Sequence, residues 1–256
     1  MTKISIITVC FNSEKHIVTA IESVLKQDYA HWEYIIVDGQ SRDRTLDVIK
    51  NYELIFNDKL KLISEPDNGL YDAMNKGIRM ATGDVIGILN SDDFFTSENI
   101  LSVVAETFND ENIDAIYGDI HFVKPDNPDK CVRYYSSKRF HPRYFRLGFM
   151  PAHPSFYVRR WCFEKYGDYV SGYTISADFD LMVRFIYKHK IRYKYIPVDF
   201  VTMRIGGAST KNIKSRWVLN KEDIRICRKH GIYTNWFYMG LRYLYKIKEF
   251  FNLQKT

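Results

Sequence analysis

The chain of 256 residues is 46% hydrophobic and 27% charged, which suits a soluble globular protein with one large domain or a domain carrying an elaborated end. Its net charge of +6 is uneven: residues 211–256 hold 11 Lys and Arg against three Asp and Glu, a net +8, leaving −2 for residues 1–210. A basic segment at one end points to an anionic surface, with lipid expected and no nucleic acid because the basic residues alternate with large apolar ones, and no 18-residue uncharged apolar run exists to span a membrane.

Residues 4–9 form an apolar run that predicts a buried strand, stopped by Asn12-Ser13, which cap a helix. In that helix Ile17, Ala20, Ile21, Val24 and Leu25 recur at helical spacing. A second strand at 34–37 ends in Asp38-Gly39-Gln40-Ser41-Arg42-Asp43, and Asp43 caps a short helix through Leu46 and Ile49. A third strand at 60–63 is followed by Glu65-Pro66-Asp67-Asn68-Gly69. Leu70, Ala73, Met74, Gly77, Ile78 and Ala81 mark a helix that Gly83 ends, and Val85–Leu89 is a fourth strand breaking off into Asn90-Ser91-Asp92-Asp93. Strands and helices alternating at this spacing predict an α/β fold, a mainly parallel sheet with helices on both faces.

Beyond Asp93 the pattern predicts a helix through Ile100, Leu101, Val104 and Phe108, then a strand at 115–118. Residues 121–150 are aromatic, basic and irregular, helices follow at 159–166 and 179–188, and 191–201 is strand-like. Gly206-Gly207 marks a flexible loop, and two basic helices close the chain at about 214–230 and 236–252. The four cysteines stand far apart without a CxxC pair, Cys10 falls inside the first strand and is expected to be buried, and no signal peptide precedes that strand. A reducing cytoplasm is the expected location.

In a parallel sheet the strand ends lie along one edge, where ligands of open α/β sheets collect. Asp38, Asp67, Asp92 and Asp93 would therefore converge on one crevice. Each alone reads as a turn or cap residue. Together they repel, which makes sense if the crevice holds a divalent cation and hydrogen-bond donors of a nucleotide. The first strand–helix turn, Val9-Cys10-Phe11-Asn12-Ser13, has no GxGxxG, and no GxxxxGK[ST] occurs anywhere, so a diphosphate here needs a metal ion and side chains.

The ordered set Ile4–Ser13, Val37–Thr45, Glu65–Gly77 ("EPDNGLYDAMNKG"), Gly83–Asp93 ("GDVIGILNSDD"), His153-Pro154-Ser155 with Tyr157-Val158-Arg159-Arg160, and Ser176–Leu181 resembles family 2 glycosyltransferases over residues 3–210. The resemblance implies a GT-A fold, a Rossmann-like, mainly parallel sheet flanked by helices. Residues 1–95 would be its nucleotide-binding half, 96–210 its acceptor half and 211–256 a basic helical extension. It implies that Asp38 meets the donor's base, usually uracil, and that Asp67, Gly69 and Asn75 belong to the donor loop. Asp92 falls at the metal ligand of the family's acidic motif, with Asp93 in support and Ser91 between them and Asn90. The chain departs from the pattern at Asn90, which replaces an Asp and suits a ribose hydroxyl rather than a cation. Asp178 falls at the catalytic base, although Ala177 replaces the usual preceding Glu, and His153 falls at an active-site position. Read from the residues alone, Asp178 serves equally as a helix N-cap, Asp180 as a first-turn acid, and His153 as a structural residue. Arg204 with 206–210 forms either a lid over the diphosphate or a plain connector.

The activity implied is an inverting transfer of a sugar from a nucleotide-sugar, a UDP-sugar foremost, to a hydroxyl of a glycan or lipid-linked glycan acceptor in polysaccharide biosynthesis, assisted by Mn²⁺ or Mg²⁺. Two other readings are a sugar nucleotidyltransferase, which would show a glycine- and lysine/arginine-rich loop near the N-terminus that this chain lacks, and a non-catalytic glycan- or lipid-binding relative. In the tail, Trp236, Gly240, Tyr243, Leu244, Ile247 and Phe251 share one helical face and Arg242, Lys246 and Glu249 lie away from it. Aromatics beside cations suggest peripheral contact with the inner face of the membrane through 236–252, as against packing on the chain's own core or a second subunit.

Overall fold

In a computed structural model, which describes residues 1–206 and 213–251 (side chains of 213 and 244–251 excepted), the four expected N-terminal strands form a parallel array. β1 (Ile4–Cys10), β2 (Trp32–Asp38), β3 (Leu60–Ser64) and β4 (Val85–Ile88) lie in the order β3-β2-β1-β4. Helices α1 (Ile17–Leu25), α2 (Thr45–Lys50), α3 (Glu53–Phe56) and α4 (Leu70–Met80) connect them. Side chains alternate across a strand, so Ile4, Ile6, Tyr34, Ile36 and Val85 pack with α1 on one face, and Ile7, Val9, Ile35, Val37, Ile86 and Ile88 pack with α4 on the other. Each fully buried Ile or Val contributes about 2 kcal/mol, so both faces must stay apolar along the strands. The polar side chains Ser5, Thr8 and Glu33 within the strands are buried in hydrogen bonds, while Asp38 and the turn 90–93 fall at strand ends.

The rest of the sheet is mixed. After β5 (Phe94–Phe95) and α5 (Ile100–Thr107) come β6 (Ala115–Lys124), β7 (Asn127–Tyr135), β8 (Tyr157–Arg159), α6 (Arg160–Tyr166), α7 (Ala177–Met182) and β9 (Tyr193–Arg204). The array continues β4-β8-β6-β9-β5, with β6 and β9 parallel, the other neighbours antiparallel, and β7 paired to β6. The strand expected at 115–118 thus runs on to Lys124 and turns into a hairpin where irregular chain was expected. β7 is a mostly exposed edge strand rich in charged side chains, so it carries no apolar alternation to read. Residues 142–147 form a 3₁₀ turn.

Two helix starts also differ. α1 begins at Ile17 with His16 at its cap, and the Ser13 hydroxyl pairs with Ser91 instead of capping. Asp43 accepts from Thr45 at the start of α2, as expected. α7 begins at Ala177, which puts Asp178 in the first turn rather than at the cap, and it widens into a π-helical turn, Val183–Lys188.

The closing helices α8 (Ile213–Lys229) and α9 (Trp236–Phe251) have the expected bounds. Their packing corrects the reading of the tail. Arg242 lies on the buried face of α9 beside Met239, paired with Asp223 of α8 at 2.7 Å, while Trp236 and Phe237 are exposed. The carbonyl of Gly148 and the side-chain Oδ1 of Asn220 also accept from Arg242. These acceptors offset the cost of burying a guanidinium. Residues 207–210 of the suggested lid, and the tail side chains Leu244, Lys246, Ile247, Glu249 and Phe251, lie outside the described residues. Among the described residues no helix is long and apolar enough to cross a membrane, and all four cysteines are free, with Cys10 buried.

Candidate active site

The C-terminal edge of the parallel array is tied together by short hydrogen bonds between its loops. Asp38, fully buried at the end of β2, accepts from the Ser41 amide at 3.0 Å, the Ser41 hydroxyl and the Ser64 hydroxyl at 2.6 Å. The Cys10 thiol, which burial and the adjacent Asp38 keep protonated, donates to it at 3.6 Å. Asp38 therefore braces the 39–43 turn and the end of β3, and its carboxylate has no free face. Asp67 lies across Gly39: a Cβ there would stand 2.3 Å from Asp67 Oδ2. The other oxygen of Asp67 accepts from the Gly69 amide at 2.8 Å. Gly69 leads into α4 with φ +107°, a conformation that L side chains rarely adopt.

The turn after β4 separates its two carboxylates. Asp93 points inward, 1% exposed, accepting from the Asn90 amide at 2.9 Å and the Arg204 backbone at 3.3 Å. Burial, reinforced by the Asp92 charge, pushes its pKa well above the carboxylate range. Asp93 thus shapes the turn, buried against Asn90 and the Arg204 backbone at a position where a supporting metal ligand was expected. Asp92 is partly exposed. Ser91 bonds Ser13 at 3.0 Å, joining this turn to the one after β1. Arg204, at the end of β9, grips the Asp92 carbonyl and Thr19 of α1, with its guanidinium 5.0 Å from the Phe94 ring centre. His16 stands close enough to feel both Arg204 and Asp92, and its pKa is lowered, chiefly by burial.

Among the described residues no group of three His, Cys, Asp or Glu forms a metal cage. One partly exposed carboxylate, Asp92, does fit Mg²⁺ or Mn²⁺, which keep several waters and bind through one or two carboxylates plus phosphates. Asp92 can share such an ion with a bound diphosphate, not hold it alone.

The second half of the site adjoins the first through α4. Tyr71, two residues after Gly69, donates to the Ile175 carbonyl and stands 3.4 Å from Asp178 Oδ1. Asp178 is half-buried, and burial pushes its pKa up to about 7; the Phe179 amide at 2.8 Å opposes that shift and the charge of Asp223 adds to it. Tyr71 stacks on Tyr169 at 5.6 Å, whose hydroxyl meets His153 Nε2 at 2.7 Å. Burial lowers the His153 pKa to about 4, so the imidazole is neutral at physiological pH and brings no charge to a phosphate. Asn75 bonds both backbone groups of Tyr169, at 2.8 and 2.9 Å, and both ends of its amide are thereby occupied.

Of the residues singled out in the sequence, Asp38, Asp67, Gly69, Ser91 and Asp92 come together on the strand edge, and Asp178 adjoins them through Tyr71. Asn75, Asn90, Asp93, His153 and Arg204 are held in contacts that shape the surrounding loops. Sequence reasoning missed Ser41, Ser64 and Tyr71. Tyr71 was discoverable only as an aromatic in the first turn of a glycine-led helix, a weak signal.

Comparisons with known proteins bear on the family and the fold. The profile described as Glycosyl transferase family 2 matches residues 5–174. A PGL/p-HBAD biosynthesis glycosyltransferase of Mycobacterium bovis (strain BCG / Pasteur 1173P2) is 26% identical over 218 residues, 85% of this chain and 82% of that protein. Among solved structures, S. aureus TarS 1-349 in complex with UDP-GlcNAc superposes with a TM-score of 0.67 at 16% identity, over 90% of this chain and 68% of that one. The mannosyltransferase PcManGT from Pyrobaculum calidifontis, in complex with GDP-Man and Mn²⁺, gives 0.64 at 19% identity, over 88% and 63%. Those structural likenesses carry the fold, and the profile spans about two thirds of the sequence, including the whole strand edge built above: the chain belongs to glycosyl transferase family 2 and is a glycosyltransferase on the GT-A fold.

Proposed function

We propose that this glycosyltransferase moves a sugar, with inversion, from a nucleoside diphosphate donor, a UDP-sugar foremost, to a hydroxyl of a glycan or lipid-linked glycan. The observation that carries the reading is Asp178, a half-buried carboxylate with its pKa raised to about 7, standing beside the helix that begins in the Asp67–Gly69 loop. A base poised near neutral pH suits proton removal from an attacking hydroxyl. The donor would lie along the strand edge between the 39–43 turn, the 67–69 loop and Asp92. Asp92 and the donor's phosphates would hold a divalent ion, which when bound neutralises charge on the departing diphosphate. Asp38 and Asp93 fix the turns that line this groove, and Tyr71 keeps Asp178 facing it. The likeness to proteins bound to UDP-GlcNAc and to GDP-Man with Mn²⁺ supports a nucleotide-sugar donor and a metal. The mycobacterial relative's name supports a role in glycan biosynthesis. Calorimetric titration of UDP, GDP and dTDP with Mn²⁺ tests the donor: UDP is expected to bind tightest, and tighter GDP binding overturns the base assignment.

Two further expectations arise here. Gly39→Ala drives a methyl into Asp67 Oδ2 and turns that carboxylate off the 67–69 loop. Donor KM should rise about tenfold, with an unchanged melting temperature, as positioning losses of this kind do. The exposed aromatics of α8 and α9 suit a peripheral contact with an anionic bilayer. Trp217 stacks with Trp236 under Lys221, while Arg146 lies 4.1 Å from the Tyr238 ring centre. Trp236→Ala combined with Phe237→Ala should abolish co-sedimentation with vesicles of phosphatidylglycerol. Sedimentation that persists at wild-type level removes this surface as the contact.

A further inference from the structure

Helix α8, like Asp178 itself, lies beyond the residues that the family profile matches, and it grips the segment that carries Asp178. Glu222 Oε1 accepts from the Thr174 amide at 2.7 Å, and its Oε2 accepts from the Ile175 and Ser176 amides at 3.0 Å each. Three successive backbone donors converge on one carboxylate at the N-terminus of α7, where negative charge is favoured. From the opposite side Tyr71 of α4 holds the Ile175 carbonyl. One turn further along α7, fully buried Asp180 meets Lys229 and His230 at the end of α8, each at 3.2 Å. The helix is thus fastened to α7 on both sides of the base.

We propose that Glu222 is a positioning residue for sugar transfer: by holding 174–176 it fixes where Asp178 stands relative to the donor. The inference rests on the reading of Asp178 as the base. No other described side chain takes these three amides, and a residue so placed acts on kcat rather than on donor affinity, because the Asp67–Gly69 loop and Asp92 are held by other contacts.

Glutamine at 222 supplies one acceptor oxygen where two are used, and turns an NH₂ towards an N–H. Glu222→Gln is therefore expected to lower kcat by about 10–100-fold through misplacement of the base, leaving the KM for donor and the affinity for UDP unchanged. The pH profile separates this from general destabilisation. Asp178 is faced by Tyr71 from α4, Tyr169 from the preceding loop, the Phe179 amide on its own helix, and Asp223 of α8 with Arg242 of α9 behind it. A loosened 174–178 segment lets water reach Asp178, which brings its pKa down towards the ordinary carboxylate range. The acid limb of kcat should then move to lower pH in Glu222→Gln. It should return partway in Glu222→Asp, which keeps the charge, and this second variant also serves if the first folds poorly. Wild-type kcat in Glu222→Gln, or reduced kcat with an unmoved acid limb and no recovery in Glu222→Asp, overturns the inference. Asp178→Asn runs alongside: its full activity would overturn the base reading itself, whereas an inactive Asp178→Asn beside a fully active Glu222→Gln sinks this inference alone.

Discussion

Asp178→Asn is expected to lower kcat by about 10²–10⁴-fold, the usual contribution of a positioned base, with UDP affinity unchanged. Asparagine keeps an oxygen for the Phe179 amide and for Tyr71, so the segment holds its shape and only proton acceptance is lost. In the wild type, kcat should fall as pH drops through about 7, because the carboxylate must be ionised to accept the acceptor's proton. The variant's residual rate should lack that limb. Stability should move in the opposite direction. A carboxylate whose pKa is raised in the folded state binds its proton more tightly there than in the unfolded chain, so its ionisation weakens folding as pH climbs from about 4 to 7. Asp178→Asn removes that burden. It should melt higher than the wild type at pH 8, with the gain vanishing at pH 4. Thermal scans at both pH values therefore show that lost turnover is chemical rather than a failure to fold. Full transfer activity in the variant would remove Asp178 from the mechanism.

The second large effect is at Asp92. Asp92→Ala should weaken UDP binding in Mn²⁺ by at least about 10-fold, in the range seen when metal coordination is disturbed. In EDTA, wild type and variant should bind UDP equally. Without nucleotide the wild type should take up no Mn²⁺ at millimolar concentration, since one partly exposed carboxylate and no cage of three ligands stands among the described residues. Asp93→Asn separates the neighbours: its side chain is buried against Asn90 and the Arg204 backbone, so metal-dependent affinity should be retained. Unchanged metal-dependent affinity in Asp92→Ala overturns the assignment, and a loss in Asp93→Asn equal to that in Asp92→Ala shows that Asp93 turns outward on binding.

Much of the fold was legible in the chain. The runs 4–9, 34–37, 60–63 and 85–89 are apolar because both sheet faces are buried there, and Asp38, Asn90 and Asp92 fall at strand ends. The short βαβ spacing then fixes a parallel array and the edge on which those residues meet. Family motifs add Asp178 and its order in the chain. The β7 strand was not legible, since an exposed charged edge has no apolar period. Neither was the face of α9, because Arg242 is buried by its partners rather than by its own character.

The sequence by itself determined which residue types stand at the ends of the parallel strands, since strand burial and connection length are local properties of the chain. Tertiary structure alone decided the surroundings of each carboxylate. Asp38 is occupied by Ser41 and Ser64, Asp93 is buried against Asn90 and Arg204, Asp92 is left partly exposed, and Asp178 is raised to about 7 between Tyr71 and a helix that follows it by about 40 residues. Hydrogen-bond partners and desolvation come from segments distant in sequence, and no local pattern encodes them.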